Sequence, residues 1–133
     1  ICRLMQSPQE RALAVNIANL DQVGHTGDLE LARRAAKHVD ESIEILYAQA
    51  RIHGWKLLLT ADHGNADQML DDAGRPLGSH SMHPVPLVIA DPSAQTPRLH
   101  QSFGTIAHIA PTFLALCGIA PPDGMAPALV DIK

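Results

Sequence analysis

Apolar positions recur at spacings of three and four along one stretch of the chain: Leu29, Ala32, Ala36, Val39, Ile43, Leu46 and Ala50. Such spacing lays a continuous apolar stripe along one face of an α-helix. The opposite face carries Glu30, Arg33, Arg34, Lys37, Glu41 and Glu44, with Glu30 and Arg34 set as a favourable pair one turn apart. Thr26 or Asp28 suits the helix start, Arg51 and His53 fall in the last turn, and Gly54 can close it. Shorter apolar runs flank this helix. Residues 12–18 (ALAVNIA), 56–60 (KLLLT) and 85–90 (VPLVIA) read as buried strands. Strand, long helix, strand is a βαβ unit, which predicts an α/β domain with a parallel sheet.

The remaining segments are less patterned. Residues 1–10 show no clear period, and residues 19–27 (NLDQVGHTG) read as a loop. Residues 66–79, with Asp72, Gly74 and Pro76, read as an extended or hairpin excursion, and residues 91–104 as a loop. Residues 105–117 form a short helix whose first turns Pro111 should distort and which Gly118 ends. The Pro- and Gly-rich stretch at 121–127 predicts a tail lying along the surface, and no internal repeat is visible.

Composition narrows the class. The 133 residues are 46% hydrophobic, enough for a globular core and too many for a disordered chain. Two Phe, one Tyr and one Trp provide no set of aromatic platforms for stacking bases. The net charge is −4 and no basic block appears, which argues against nucleic-acid binding. No apolar run is long enough to span a membrane, and no signal-peptide pattern opens the chain. Cys2 and Cys117 lie far apart and outside any CxxC pattern, which favours a cytoplasmic setting over a disulfide framework. The chain opens on Ile1 rather than Met, as a fragment or a processed product would.

The candidate chemistry lies just beyond the strand ends, where ligands of open α/β sheets bind. Asp21 and His25 follow the first expected strand, and Asp62 and His63 follow the second. His80 precedes the third, so a loop must return it to the same rim. Carboxylate and imidazole without thiolate suit borderline divalent ions such as Mn²⁺ or Zn²⁺. Two such ions about 3.5–4 Å apart can clamp a phosphate during in-line displacement. Gly24 and Gly64 would give the backbone freedom to aim neighbouring ligands. Plainer readings stand beside this one. A lone DxxxH is a weak signal, and Asp-His-Gly after a strand is also ordinary turn composition. His38, His53, His100 and His108 read as surface or helix-face residues. His83, three residues after His80 and beside Pro84, reads as a residue without a role, with a ligand or supporting role as the alternative. Cys117 reads as a packed helix residue rather than a nucleophile. Asn16 and Asn19 either bond the loop backbone or are polar strand-end residues without a role. No P-loop, GxGxxG, HExxH or GxSxG occurs, and the arginines form no obvious phosphate clamp.

At these residues the chain resembles a known family. Residues 16–27 (NIANLDQVGHTG) resemble the NxxNxDxVGHTG segment of cofactor-independent phosphoglycerate mutases. Residues 60–69 (TADHGNADQM) resemble their TADHGNAEQM segment, residues 80–86 (HSMHPVP) their HTxNPVP, and residues 109–114 (IAPTFL) their IAPTLL. Order and gaps agree over residues 12–125, and the match is more specific than to other members of the alkaline-phosphatase superfamily. The resemblance implies an α/β, alkaline-phosphatase-like domain, with residues 1–133 as the C-terminal, metal-binding part of the phosphatase domain. It implies two Mn²⁺ ions, one held by Asp21, His25 and His80 and the other by Asp62 and His63. It further implies transfer of a phosphoryl group between the 3- and 2-positions of glycerate, a glycolytic isomerisation through a phosphoserine intermediate.

Some of the family's pattern has no counterpart here. No residue matches its nucleophilic serine, a further aspartate ligand of the second ion, a lysine near the nucleophile, or the arginines of its substrate-binding domain. His83 stands where Asn is usual, His108 where Asp is common, and Met125-Ala-Pro where Met-Thr-Gly is usual. The first metal site is thus complete on paper and the second half present. The expectation is a chain inactive alone, with self-association through exposed edges or partial disorder at 1–10 and 119–133. The alternatives are another phosphomutase or phosphatase of the superfamily, or a non-catalytic metal-binding remnant.

Overall fold

The computed structural model describes residues 1–93 and 97–131. Residues 94–96, within the loop expected over 91–104, and residues 132–133 lie outside the described residues. The elements run α1 (Cys2–Met5), α2 (Asn19–Gly24), α3 (Leu29–His53), β1 (Leu57–Thr60), β2 (Leu87–Ala90), a 3₁₀ turn (Ile106–His108) and α4 (Ile109–Leu116).

The long helix forms where its stripe requires. The Asp28 side chain accepts from the Leu31 N–H at 3.0 Å, satisfying a donor that the first turn leaves free. At the other end Gly54 takes the left-handed conformation (φ +72°), and the Trp55 N–H reaches the Ala50 carbonyl at 2.9 Å. Trp55 then donates its indole N–H to the Met5 carbonyl, tying α1 to the end of α3. Glu30 pairs with Arg33 rather than with Arg34. Only Ala32 and Ala50 of the helix are buried. Val39, Ile43 and Leu46 face a cavity of about 540 Å³, lined across from them by Leu13, Val15, Ile17 and the β1 leucines.

The expected parallel sheet is corrected. Among the described residues the sheet is two-stranded and antiparallel, with Leu57 opposite Ala90 and Thr60 opposite Leu87. A parallel pair needs a crossover, usually a helix, between its strands. Here the chain between β1 and β2 folds back on itself instead. Antiparallel bridges at Gly64↔Ser81 and Leu70↔Pro76 nest inside the β1–β2 ladder, and Asp71 and Gly74 (φ +75°) turn the tip. The excursion expected over 66–79 is therefore the end of one long irregular hairpin. Residues 12–18 form no strand, so the βαβ unit lacks its first member. That segment stands beside β1 across the cavity without joining its ladder.

The core lies between the hairpin and α4. Ala115, Leu116 and Val130 are buried together, with Leu58 and Ile89 packed against them. Pro111 does not break the helix. It is the third residue of α4, where a missing N–H costs nothing, and it is fully buried. Gly118 (φ +74°) closes the helix as expected. The tail lies along the surface over residues 121–127 as expected, but Leu129 and Val130 beyond that stretch are buried. The cause is Thr112, fully buried, whose hydroxyl donates to the His108 carbonyl at 2.6 Å and accepts from the Leu129 N–H at 2.9 Å. Cys117, expected to pack, is exposed at the end of α4. The whole exposes 9353 Å², whereas a free-standing globular monomer of 14.3 kDa exposes about 6,800 Å² by size scaling.

Candidate metal centre

Three separate stretches of chain build the centre. The first is α2, expected to be loop. As a helix it sets Asp21 and His25 one turn apart on the same face, with Asp21 Oδ1 3.5 Å from His25 Nε2. The second is the turn after β1, which carries Asp62 and His63, with Asp62 Oδ1 3.6 Å from His63 Nε2. The third is the returning arm of the hairpin, which carries His80 within 3.7 Å of Asp21 Oδ1.

The Gly64↔Ser81 bridge brings the last two together. Residues flanking a bridged pair on either strand share one face, so His63, Asn65 and His80 all project to the same side. The rings of His63 and His80 stack, 3.5 Å between centroids and 9° between planes. Asp21, His63 and His80 each offer a ligand atom, all within 4.8 Å of one another. Side-chain exposures of 38%, 28% and 45% leave the group open to solvent. One carboxylate oxygen and two imidazole nitrogens without thiolate form a donor set that a borderline divalent cation fits.

His25 and Asp62 adjoin this trio rather than complete it. Asn65, buried at 8% exposure, lies against both Asp21 and His25. Its side-chain nitrogen donates to Asp21 Oδ1 at 2.6 Å and lies 3.1 Å from His25 Nε2. It thus links the two side chains of α2 to the turn after β1. Asp62 meets the group through His63 and is 75% exposed. The donors expected as two separate sets therefore form one connected cluster, with His63 beside Asp21 and His80.

Asn65 is the residue that sequence reasoning left without a role. The available signal was its place within TADHGNADQM, directly after the Asp-His-Gly turn. The two glycines act differently from expectation. Neither Gly24 nor Gly64 has positive φ. At each, a side chain would displace a neighbouring side chain from its place. A Cβ on Gly24 would lie 2.0 Å from Asn65 Oδ1, and one on Gly64 would lie 2.2 Å from Ser81 Oγ.

The other histidines do different work. His38 pairs with Glu41, and His100 with Asp131. His108 accepts the Thr105 N–H on its Nδ1 at 3.0 Å, starting the 3₁₀ turn. His83 bonds Asp67 through Nδ1, and Ser81 donates to the same Asp67 oxygen at 2.7 Å. These two bonds hold the Asp67 carboxyl below the ordinary carboxylate range, Ser81 contributing most. No helix among the described residues is long and apolar enough to cross a membrane.

The chain is similar to known proteins over most of its length. A 2,3-bisphosphoglycerate-independent phosphoglycerate mutase of Anaplasma marginale is 39% identical over 121 residues, which cover 91% of this chain and 24% of that protein. The enzyme of the same name from Microcystis aeruginosa is 35% identical over 100% of this chain and 27% of its own length. The chain thus spans about a quarter of the length of these curated relatives. A crystal structure of Leishmania mexicana phosphoglycerate mutase, determined at low cobalt concentration, superposes with a TM-score of 0.86 at 29% identity. It covers 99% of this chain and 27% of that one. The fold is therefore α/β and alkaline-phosphatase-like, as the motifs implied, its antiparallel hairpin forming one part of that architecture. A family described as the metalloenzyme superfamily matches residues 1–121, and the chain belongs to that superfamily.

Proposed function

We propose that this chain is the metal-holding part of a cytoplasmic phosphoglycerate mutase, which interconverts 3- and 2-phosphoglycerate through a phosphoserine intermediate in glycolysis. The observation that carries the reading is the convergence of Asp21, His63 and His80 from three distant stretches, with His25 and Asp62 attached. The names of the similar proteins point the same way. In this reading Mn²⁺ is the ion. Asp21, His25 and His80 hold one, and Asp62 and His63 contribute to a second. When bound, the ions supply Lewis-acid stabilisation of a phosphoryl group.

The division into two sites asks His63 to leave its place against His80 and Asp21. The attacking serine and the arginines that grip substrate come from elsewhere in the enzyme. The chain alone therefore converts no phosphoglycerate, because metal ions replace neither a nucleophile nor a substrate clamp. Its surplus exposed surface and open sheet edges favour self-association when it stands alone.

The test is calorimetric titration with Mn²⁺ at pH 7–8 on the wild type and His80→Ala, alongside assay of the enzyme encoded by the whole reading frame. Saturable binding lost in His80→Ala, with phosphoglycerate conversion by the whole enzyme only, is expected. Conversion of a different phosphate ester in place of phosphoglycerate would replace the substrate assignment. Binding indifferent to His80 would remove the site.

A further inference from the structure

Behind the metal centre, on the other side of the Gly64↔Ser81 bridge, lies a second polar group. Its parts are Asp67, Ser81 and His83. Ser81 is bonded to Gly64 through the backbone, its N–H meeting the Gly64 carbonyl at 2.9 Å. Its hydroxyl donates to Asp67 Oδ2 at 2.7 Å, and the His83 ring bonds the same oxygen. Asp67 lies on the outgoing arm of the hairpin, and Ser81 and His83 lie on the returning arm. One carboxylate oxygen therefore fastens the two arms together next to the bridge. A side chain at residue 64 would enter this space, 2.2 Å from Ser81 Oγ and 2.7 Å from Asp67 Oδ1, and push these groups apart.

The bridge has few other supports. It is an isolated pair of residues outside the β1–β2 ladder. Yet His63 and His80 adjoin its two members, and their stacking depends on the arms keeping this register. Side chains change faces when a register slips by one residue. A slip would turn His80 away from Asp21 and His63. We infer that Asp67, through Ser81 and His83, is a positioning residue that holds the arm bearing His80 in register with His63 and so preorganises the metal centre. Asp67 and His83 touch none of the ligands; they act through the backbone pairing. The inference rests on the reading of His80 as a ligand.

Partners that orient metal ligands typically change affinity 10–100-fold when removed. The probe is Co²⁺, titrated into the full chain and followed by calorimetry and by its visible absorption, which reports coordination geometry. In the wild type, binding should be saturable and lost in His80→Ala. Asp67→Ala should weaken Co²⁺ binding by at least about 10-fold and alter the absorption spectrum. Asp67→Glu, which keeps the acceptor, should restore both. Wild-type affinity and an unchanged spectrum in Asp67→Ala would overturn the inference and leave the metal site standing. Should Asp67→Ala lose its helical circular dichroism, Ser81→Ala and His83→Ala decide the matter. Weakened binding in either supports the inference, and wild-type binding in both overturns it. A wild type that binds no Co²⁺, or binds it without regard to His80, removes the site reading and the inference with it.

Discussion

The hydroxyl of Thr112 fastens the C-terminal stretch to α4, and its contribution can be worked out from its surroundings. The residue is fully buried, and the Leu129 whose N–H it accepts is 4% exposed. Thr112→Val keeps the side chain's shape and removes only the oxygen. The substitution deletes the bond donated to the His108 carbonyl, with a net value of about 1 kcal/mol, and strands the buried Leu129 N–H at about 1–3 kcal/mol. The expected loss is about 2–4 kcal/mol. Thr112→Ser keeps the oxygen and deletes one buried methyl, a loss of about 1 kcal/mol. Urea unfolding separates the two. With a slope of about 2 kcal/mol per molar, Thr112→Val should lower the midpoint by about 1–2 M and Thr112→Ser by about 0.5 M. Amide hydrogen exchange at Leu129 should accelerate in the valine variant and stay slow in the serine variant. The reverse order, with serine the more damaging, would refute the role of the hydroxyl and assign the effect to methyl packing.

Other consequences can be checked singly. Gly24→Ala should weaken Mn²⁺ binding at least about 10-fold in a calorimetric titration, because the new Cβ displaces Asn65 from Asp21 and His25. Unchanged affinity would mean that Asn65 does not organise the centre. Lys56→Met should destabilise more than Lys37→Met in thermal melts. Lys56 donates to the buried Leu116 carbonyl at 2.7 Å and faces the nearly buried Asp91, whereas the Lys37–Glu41 pair is exposed and worth about 0.3–0.5 kcal/mol. The hairpin tip should loosen only in acid. The Arg75 N–H groups hold the Asp71 carboxyl below its ordinary value of 3.8. A carboxyl whose folded value is depressed stabilises above its unfolded value, and that contribution fades as pH falls through the folded value. Amide shifts of Ala73 and Arg75 should therefore hold steady from pH 8 to about 4 and move below it. Movement near neutral pH would contradict the assignment.

How much of this was legible depended on whether the signal was local. The stripe from Leu29 to Ala50, with Asp28 before it and Gly54 after it, defines α3 to the residue. Every element of that signal lies within the helix or directly beside it. Asp21, His25, Asp62, His63 and His80 were legible as a cluster because their motifs are short and specific. The helix α2 was not, since six residues rich in polar side chains carry too little periodicity. Its one clue was the spacing of Asp21 and His25. Strand direction was misread because residues 12–18 have strand composition, while pairing depends on which partner the chain supplies. The burial of Leu129 and Val130 was hidden behind the prolines at 121, 122 and 127. It depends on a hydroxyl seventeen residues upstream, a distance over which no pattern reads.

That same hydroxyl has a consequence for how the molecule is made. A chain emerges from the ribosome N-terminus first, and each contact forms only once its later member is available. The metal-centre residues all precede residue 81, and the hairpin that positions them is finished by Ala90. α4 follows, but Thr112 has no partner for its acceptor until Leu129 is synthesised. The apolar face of α4 that covers Leu58 and Ile89 is therefore the last part of the core to be secured. During that interval the nascent chain carries Asp21, His63 and His80 above an unfinished core. Chaperones would meet it in that form, and a premature stop before residue 129 would make that state permanent.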